Sequence, residues 1–286
     1  MINKIYSINS FDKWKAEAKD SPYLRPVFLL HEYLKNNISD ELLGFYIHGS
    51  LATLDYIKGY SDLDAVMIIN DEISDNKKKV LEKQIKIINR FPYLIDVLQH
   101  HKITILHSSE LLKYDRTDFP PVLFESSVAL GNSRLTLEIG AAEVDYKKAF
   151  LDFYNSFRNN FSKENRSSLD LKAFLSFLQL FPAIYLQAKN NEFIGKKESF
   201  HEAEKYFKEE WEIINVASNI RREWNYSPIF SPFVQNVLLR IPRLERIMWF
   251  FGKLMPVPAR IKKILGEGFK EKSFKLIELM KNKLYG

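Results

Sequence analysis

The sequence predicts an α+β fold, with a small mixed sheet and its helices in the first part and an all-helical second part. Two observations carry this. Short apolar runs of strand length alternate with helix-period segments as far as residue 107. Beyond a region rich in turn residues, Asp115 to Ser133 with Asp118-Phe119-Pro120-Pro121 and Gly131-Asn132-Ser133, alternation gives way to helical periodicity. The expected division is therefore 1–135 and 136–286.

Taken in order, residues 10–37 read as two helices. Ser10 is placed to cap the first, and Ser21-Pro22 opens the second with proline in its first turn. Leu24, Val27, Phe28, Leu30, Tyr33 and Leu34 form its apolar stripe. An apolar strand, Gly44 to His48, then runs into Gly49-Ser50. A short helix or turn follows over Leu51 to Ile57, Lys58-Gly59-Tyr60 breaks it, and a second apolar strand opens with Asp62-Leu63-Asp64. After a polar connection from Asp71, Lys77 to Arg90 is a helix ended by Phe91-Pro92. The β-branched run Tyr93 to His107 reads as one long or two consecutive strands.

In the second part, Glu138 to Phe161 reads as one helix. Another starts at Ser167-Ser168-Leu169-Asp170 and runs to about Asn190, apolar all round and kinked at Pro182. Gly195-Lys196-Lys197-Glu198-Ser199 leads into a helix carrying Ala203, Tyr206, Phe207 and Trp211. Short helices then alternate with turns at Pro228, Pro232, Pro242, Pro256 and Pro258.

Composition narrows the chemistry. In 286 residues there is no cysteine, which excludes disulfides, thiolate zinc sites and cysteine nucleophiles. Met1 to Asp20 lacks a signal-peptide core, and nowhere do eighteen apolar residues run together, so no membrane-spanning helix is expected and cytoplasmic residence is the default. Lysine and arginine exceed aspartate and glutamate by six over the chain. From Arg240 to Gly286, twelve basic residues face four acids, a surplus of eight, so the excess positive charge is local. That stretch reads as a helical subdomain with apolar residues inward and lysines in solvent. An acidic partner or nucleic acid, or a membrane surface approached by Trp249-Phe250-Phe251, are the other readings.

The chemistry concentrates at Gly49 to Asp64. Residues two apart on a strand share a face, so Asp62 and Asp64 are expected side by side with Leu63 turned inward. Two carboxylates that close raise each other's pKa or take up a cation. A divalent metal is the economical answer, and Mg²⁺ is satisfied by one or two carboxylates together with water and substrate phosphates. Gly49-Ser50 supplies a complementary phosphate cradle, since glycine lets backbone approach a ligand closely and amides at a helix start favour anions. The alternative is an ordinary hairpin with a solvated Asp pair. His48 is expected to line the cleft without a chemical role. Gln99-His100-His101 is a further candidate: adjacent histidines, read on a strand, would point to opposite faces, so at most one would meet the Asp pair as metal ligand or base, and a surface or core-edge role is the alternative.

Gly49-Ser50, an eleven-residue spacer from Leu51 to Ser61, and Asp62-Leu63-Asp64 in a second apolar strand resemble the signature of the polymerase-beta-type nucleotidyltransferase superfamily. With the helical second part, the layout is similar to that of antibiotic nucleotidyltransferases. The resemblance implies a nucleotidyltransferase core and transfer of a nucleoside monophosphate from an NTP, with ATP the expected co-substrate and Mg²⁺ or Mn²⁺ the cofactor. It implies Gly49 and Ser50 at the triphosphate and Asp62 and Asp64 on the metal. Asp96 is then either the third carboxylate, as ligand or base, or an Asp in a strand-entry turn. Lys197 is either a phosphate contact or part of a solvated charge cluster. The acceptor hydroxyl implied is that of a small molecule such as an aminoglycoside, of a protein, or of an RNA end. A catalytically inactive nucleotide-binding or regulatory protein of the same fold is the alternative.

Overall fold

The computed structural model describes residues 2–18, 21–38, 42–114, 119–141, 144–163, 167–224 and 230–286. Asp115 to Asp118 of the expected boundary turn, and Pro228, lie outside them. The chain divides into two compact units: Met1–Glu143 with Asn225–Phe251, and Val144–Trp224 with Gly252–Gly286.

The first unit is α+β. Its elements in chain order are β1 (Ile2–Ser7), β2 (Asn9–Ser10), α1 (Phe11–Ala18), α2 (Arg25–Asn37), β3 (Leu42–His48), α3 (Gly49–Ala52), β4 (Asp64–Ile69), α4 (Asp75–Ile88), α5 (Pro92–Ile95), β5 (Thr104–His107), β6 (Val128–Leu130) and β7 (Thr136–Ala141). A five-stranded mixed sheet has the order β2-β6-β3-β4-β5, in which β3 lies antiparallel to both β4 and β6, and β4 parallel to β5. A separate antiparallel ribbon joins β1 to β7.

Alternation along the central strands sends side chains into two cores. Phe45, Ile47 and Met67 pack with Val27 and Leu30 of α2 and Ile88 of α4, all fully buried. On the other face Tyr46, Val66, Ile68 and Leu106 pack with Phe124, Leu137 and Ile139. Each such side chain contributes about 1.5–3 kcal/mol by leaving water. Burial on both faces explains why β3 and β4 read as nearly continuous apolar runs.

Three stretches of the first unit differ from what the sequence predicts. Residues 136–141 form a strand rather than the start of a helix. Leu137 and Ile139 are buried and Thr136 and Glu138 exposed, a period of two. The helix begins only after Asp145, whose carboxylate accepts from the Lys148 amide at 2.9 Å. Tyr93 to His107 is not a continuous strand either. Pro92 opens the short α5, residues 96–103 are irregular, and only Thr104–His107 pairs with β4. Finally, β4 begins at Asp64, so Asp62 precedes the strand.

The second unit, among its described residues, is helical: α6 (Tyr146–Phe161), α7 (Ser168–Leu178), α8 (Phe181–Asn190), α9 (Lys196–Glu204) and α10 (Glu212–Glu223). In the first unit α11 (Pro232–Arg240) follows, then α12 (Leu244–Leu254) crosses the division, and α13 (Ala259–Leu265) and α14 (Phe269–Tyr285) complete the second unit. Phe150, Phe157, Phe174 and Phe181 are fully buried at its centre. Residues 168–190 are apolar and long enough to cross a bilayer, but 67% of the apolar window is buried inside the protein, and they form two helices rather than one kinked one. In the basic C-terminal stretch, α13 and α14 turn Ile261, Leu276, Ile277 and Met280 inward as expected. The helix α12 does not conform: Trp249, Phe250, Phe251 and Leu254 are more than half exposed.

Candidate active site

The end of β3 and the start of β4 meet in register, His48 opposite Asp64. There the chain turns through Gly49, whose φ of +67° is the left-handed conformation that glycine adopts without strain. A Cβ at Gly49 would lie 3.0 Å from Asp64 Oδ2. The Gly-Ser turn and the Asp64 carboxylate are therefore immediate neighbours, with no side chain between them.

Ser50 is positioned by a residue the sequence reading passed over. Its hydroxyl donates to Ser61 Oγ at 3.0 Å, and the same oxygen accepts from the Ile57 amide at 2.9 Å. The Ser61 carbonyl in turn accepts from the Tyr23 hydroxyl at 2.6 Å. Ser61 is 2% exposed, so this junction is a buried anchor for the whole spacer. Burial pushes the Tyr23 pKa up, and the charges of Asp96 and Asp62 add to it.

Gln99, which stands out in the sequence together with the two histidines, takes a positioning place. Its Oε1 accepts from the Leu63 amide at 3.1 Å, while Nε2 donates to the Leu63 carbonyl at 3.3 Å and to the His101 carbonyl at 2.8 Å. Gln99 thus pairs with the backbone between the two aspartates as a neighbouring strand would, and ties it to the histidine segment. Its place beside two adjacent histidines was the signal available in the sequence.

The structure brings Asp62, His100 and His101 together. His100 Nδ1 lies 3.3 Å from Asp62 Oδ2, and the two imidazole rings are 3.8 Å apart. One ligand atom from each of the three residues falls within 4.8 Å of the others, the sole such grouping among the described residues. The expectation that at most one histidine would reach the aspartates is corrected. Residues 100–101 are irregular, so strand alternation does not separate their side chains. His48 also belongs to this neighbourhood. Burial, with His101 next in effect and Asp62 opposing, lowers its pKa to about 4, leaving it a neutral imidazole at neutral pH.

Asp96 is fully buried where α5 ends, and its carboxylate accepts from the Leu98 amide at 3.0 Å. It is not among the three grouped ligands. The sheet strand that follows the Asp pair is β5, in which Thr104 pairs with Val66. Lys197 is exposed in the first turn of α9, in the second unit. Its neighbour Lys196 donates instead to Gln179 at 3.3 Å.

The donor set suits a cation. Asp62 offers a hard oxygen and His100 and His101 offer imidazole nitrogens, while the Asp64 carboxylate lies against the Gly49 turn.

No family model and no curated protein matches the chain. Five chains of solved structures do. One is the crystal structure of spectinomycin adenyltransferase AAD(9) from Enterococcus faecialis with ATP and spectinomycin. It is 13% identical, with a TM-score of 0.37, and the alignment covers 92% of this chain and 98% of that one.

Proposed function

We propose that this chain is a metal-dependent nucleotidyltransferase, moving a nucleoside monophosphate from an NTP, ATP first among them, to a hydroxyl acceptor. The single observation that supports the reading most is the contact between Gly49 and Asp64, with 3.0 Å from a would-be Cβ to the carboxylate. It joins a backbone open to phosphate with a carboxylate able to hold the phosphate's counter-ion.

In this proposal the Gly49 and Ser50 backbone lies against the triphosphate, with the Ser50 hydroxyl aimed by Ser61. Asp62 and Asp64 would hold a divalent ion, Mg²⁺ or Mn²⁺, which supplies charge neutralisation to the phosphates. The acceptor oxygen forms a bond to the α-phosphorus, the bond to the bridging oxygen breaks, and pyrophosphate leaves. The acceptor's proton passes to a base at the site. Such in-line transfer depends mainly on positioning and on charge stabilisation.

A second reading, nucleotide binding without turnover, is favoured by one observation: Asp62 is the lone carboxylate among the grouped ligands. One experiment separates the two. Purified protein is incubated with each labelled ribonucleoside triphosphate and Mg²⁺ or Mn²⁺ in the presence of cell extract. Pyrophosphate release and label transfer are followed for wild type and Asp64→Asn. Metal-dependent transfer lost in Asp64→Asn, with the fold retained, is the expected result. Undiminished transfer by the variant overturns the assignment. Nucleotide binding with no pyrophosphate release moves the conclusion to the second reading.

A further inference from the structure

We propose that Asp62, His100 and His101 form a site for a borderline transition ion of the Zn²⁺ class in preference to Mg²⁺. The inference refines the cofactor of the nucleotidyl-transfer reading and rests on that reading for the ion's use, though not for its binding.

Three observations carry it. The first is donor chemistry. Mg²⁺ takes oxygen ligands and gives up its waters reluctantly, whereas imidazole suits Zn²⁺ and its neighbours in the first transition row. Two imidazoles and one carboxylate are a zinc-type donor set, and three protein ligands leave a fourth position for water or substrate.

Geometry is the second. Bonds of about 2.0–2.1 Å in a tetrahedral site separate neighbouring ligand atoms by about 3.3–3.4 Å. The Asp62 Oδ2 to His100 Nδ1 distance is already 3.3 Å. The third ligand atom, from His101, lies within 4.8 Å of both.

Third, the site is built rather than incidental. Asp62 and His100 side chains are only 15% and 8% exposed. Gln99, itself buried, binds the Leu63 backbone and the His101 carbonyl together, so the segments bearing the ligands are held against each other before any ion arrives.

The test is direct binding to the untagged full chain without nucleotide. Isothermal titration compares Zn²⁺ with Mg²⁺, Co²⁺ absorption reports the geometry, and pulsed EPR of the Cu²⁺-loaded protein reports nitrogen ligands. Expected are one Zn²⁺ per chain bound at least tenfold more tightly than Mg²⁺, intense visible Co²⁺ bands, and ¹⁴N couplings from imidazole. His100→Gln and His101→Gln should each weaken Zn²⁺ at least tenfold. The wild-type spectra serve if either variant fails to fold. Equal affinity for Zn²⁺ and Mg²⁺, or a bound transition ion without imidazole couplings, overturns the proposal. The outcome is separable from nucleotidyl transfer: a zinc-type site with no NTP turnover leaves this inference standing, and Mg²⁺-supported transfer with no imidazole-bound ion sinks this inference alone.

Discussion

Gly49 and Asp64 stand in contact through a missing atom: the space a Cβ on Gly49 would occupy ends 3.0 Å from Asp64 Oδ2. A left-handed turn and a carboxylate are each common. Their juxtaposition at the end of β3 means that any side chain there is strained by the positive φ and must push the Asp64 carboxylate aside.

Gly49→Ala should therefore do two things. The left-handed backbone costs an L-residue about 1–2 kcal/mol, so the melting temperature falls by several degrees. The new methyl also crowds Asp64, so nucleotide affinity falls at least tenfold. Gly268→Ala is the control, because Gly268 has φ of +71° in the left-handed region and its would-be Cβ meets only Glu271 Oε2, at an ordinary 3.9 Å. Thermal melts should show similar losses for both variants, and only Gly49→Ala should weaken ATP binding in equilibrium titration. Equal ATP affinity in the two would contradict the proposed role of the turn.

Gln99→Leu keeps the volume of a 2% exposed side chain but removes its partners at the Leu63 amide and carbonyl. Two buried backbone groups lose their bonds to Gln99, at about 1–3 kcal/mol each before relaxation. Chemical denaturation should report a loss of about 2 kcal/mol or more. Gln99→Glu, which keeps an acceptor for the Leu63 amide but sets a second oxygen against the Leu63 and His101 carbonyls in a buried site, should be no more stable than Gln99→Leu. An unchanged midpoint for Gln99→Leu would show that the clamp adds nothing to stability.

Asp71 links the end of β4 to the turn after β5. Its carboxylate accepts from Ser108 Oγ at 2.8 Å and from the Ser109 amide at 2.6 Å, and these bonds, the Ser108 one foremost, hold its pKa below the ordinary carboxylate value. Because the folded-state pKa is depressed, the stabilisation is present above the unfolded value and is lost as pH falls through the folded one. Asp71 is solvent-facing, so the whole effect is at most about 1 kcal/mol. Melts of wild type and Asp71→Ala should differ at about pH 7 and converge as pH falls below the ordinary carboxylate range. A gap that persists in acid would rule out the ionised carboxylate as its source.

Legibility varied with the kind of signal. The apolar strands flanking Gly49-Ser50 and Asp64 were readable because burial on both faces of the sheet leaves little choice of residue. Tyr93 to His107 misled, since β-branched density looks the same in a strand and in a packed irregular segment, and Pro92 was read as a stop rather than as the opening of α5. Residues 136–141 misled for the opposite reason: a six-residue strand running toward a sixteen-residue helix is masked by the longer period.

What the sequence by itself determined is the local chemistry: a glycine turn at the end of one apolar strand, a carboxylate at the head of the next, and a pair of histidines downstream. Those follow from residue type and short-range spacing, which φ preference and side-chain alternation translate directly into structure. Only the tertiary structure decided which of these groups meet. Gln99 across Leu63 and the histidines against Asp62 are contacts formed by an irregular segment folding back over residues about 36–39 positions earlier in the chain, whereas Ser61 under Ser50 closes the eleven-residue spacer on itself. No periodicity encodes that approach, because it is set by how the irregular segment 96–103 packs once α5 and β5 are in place.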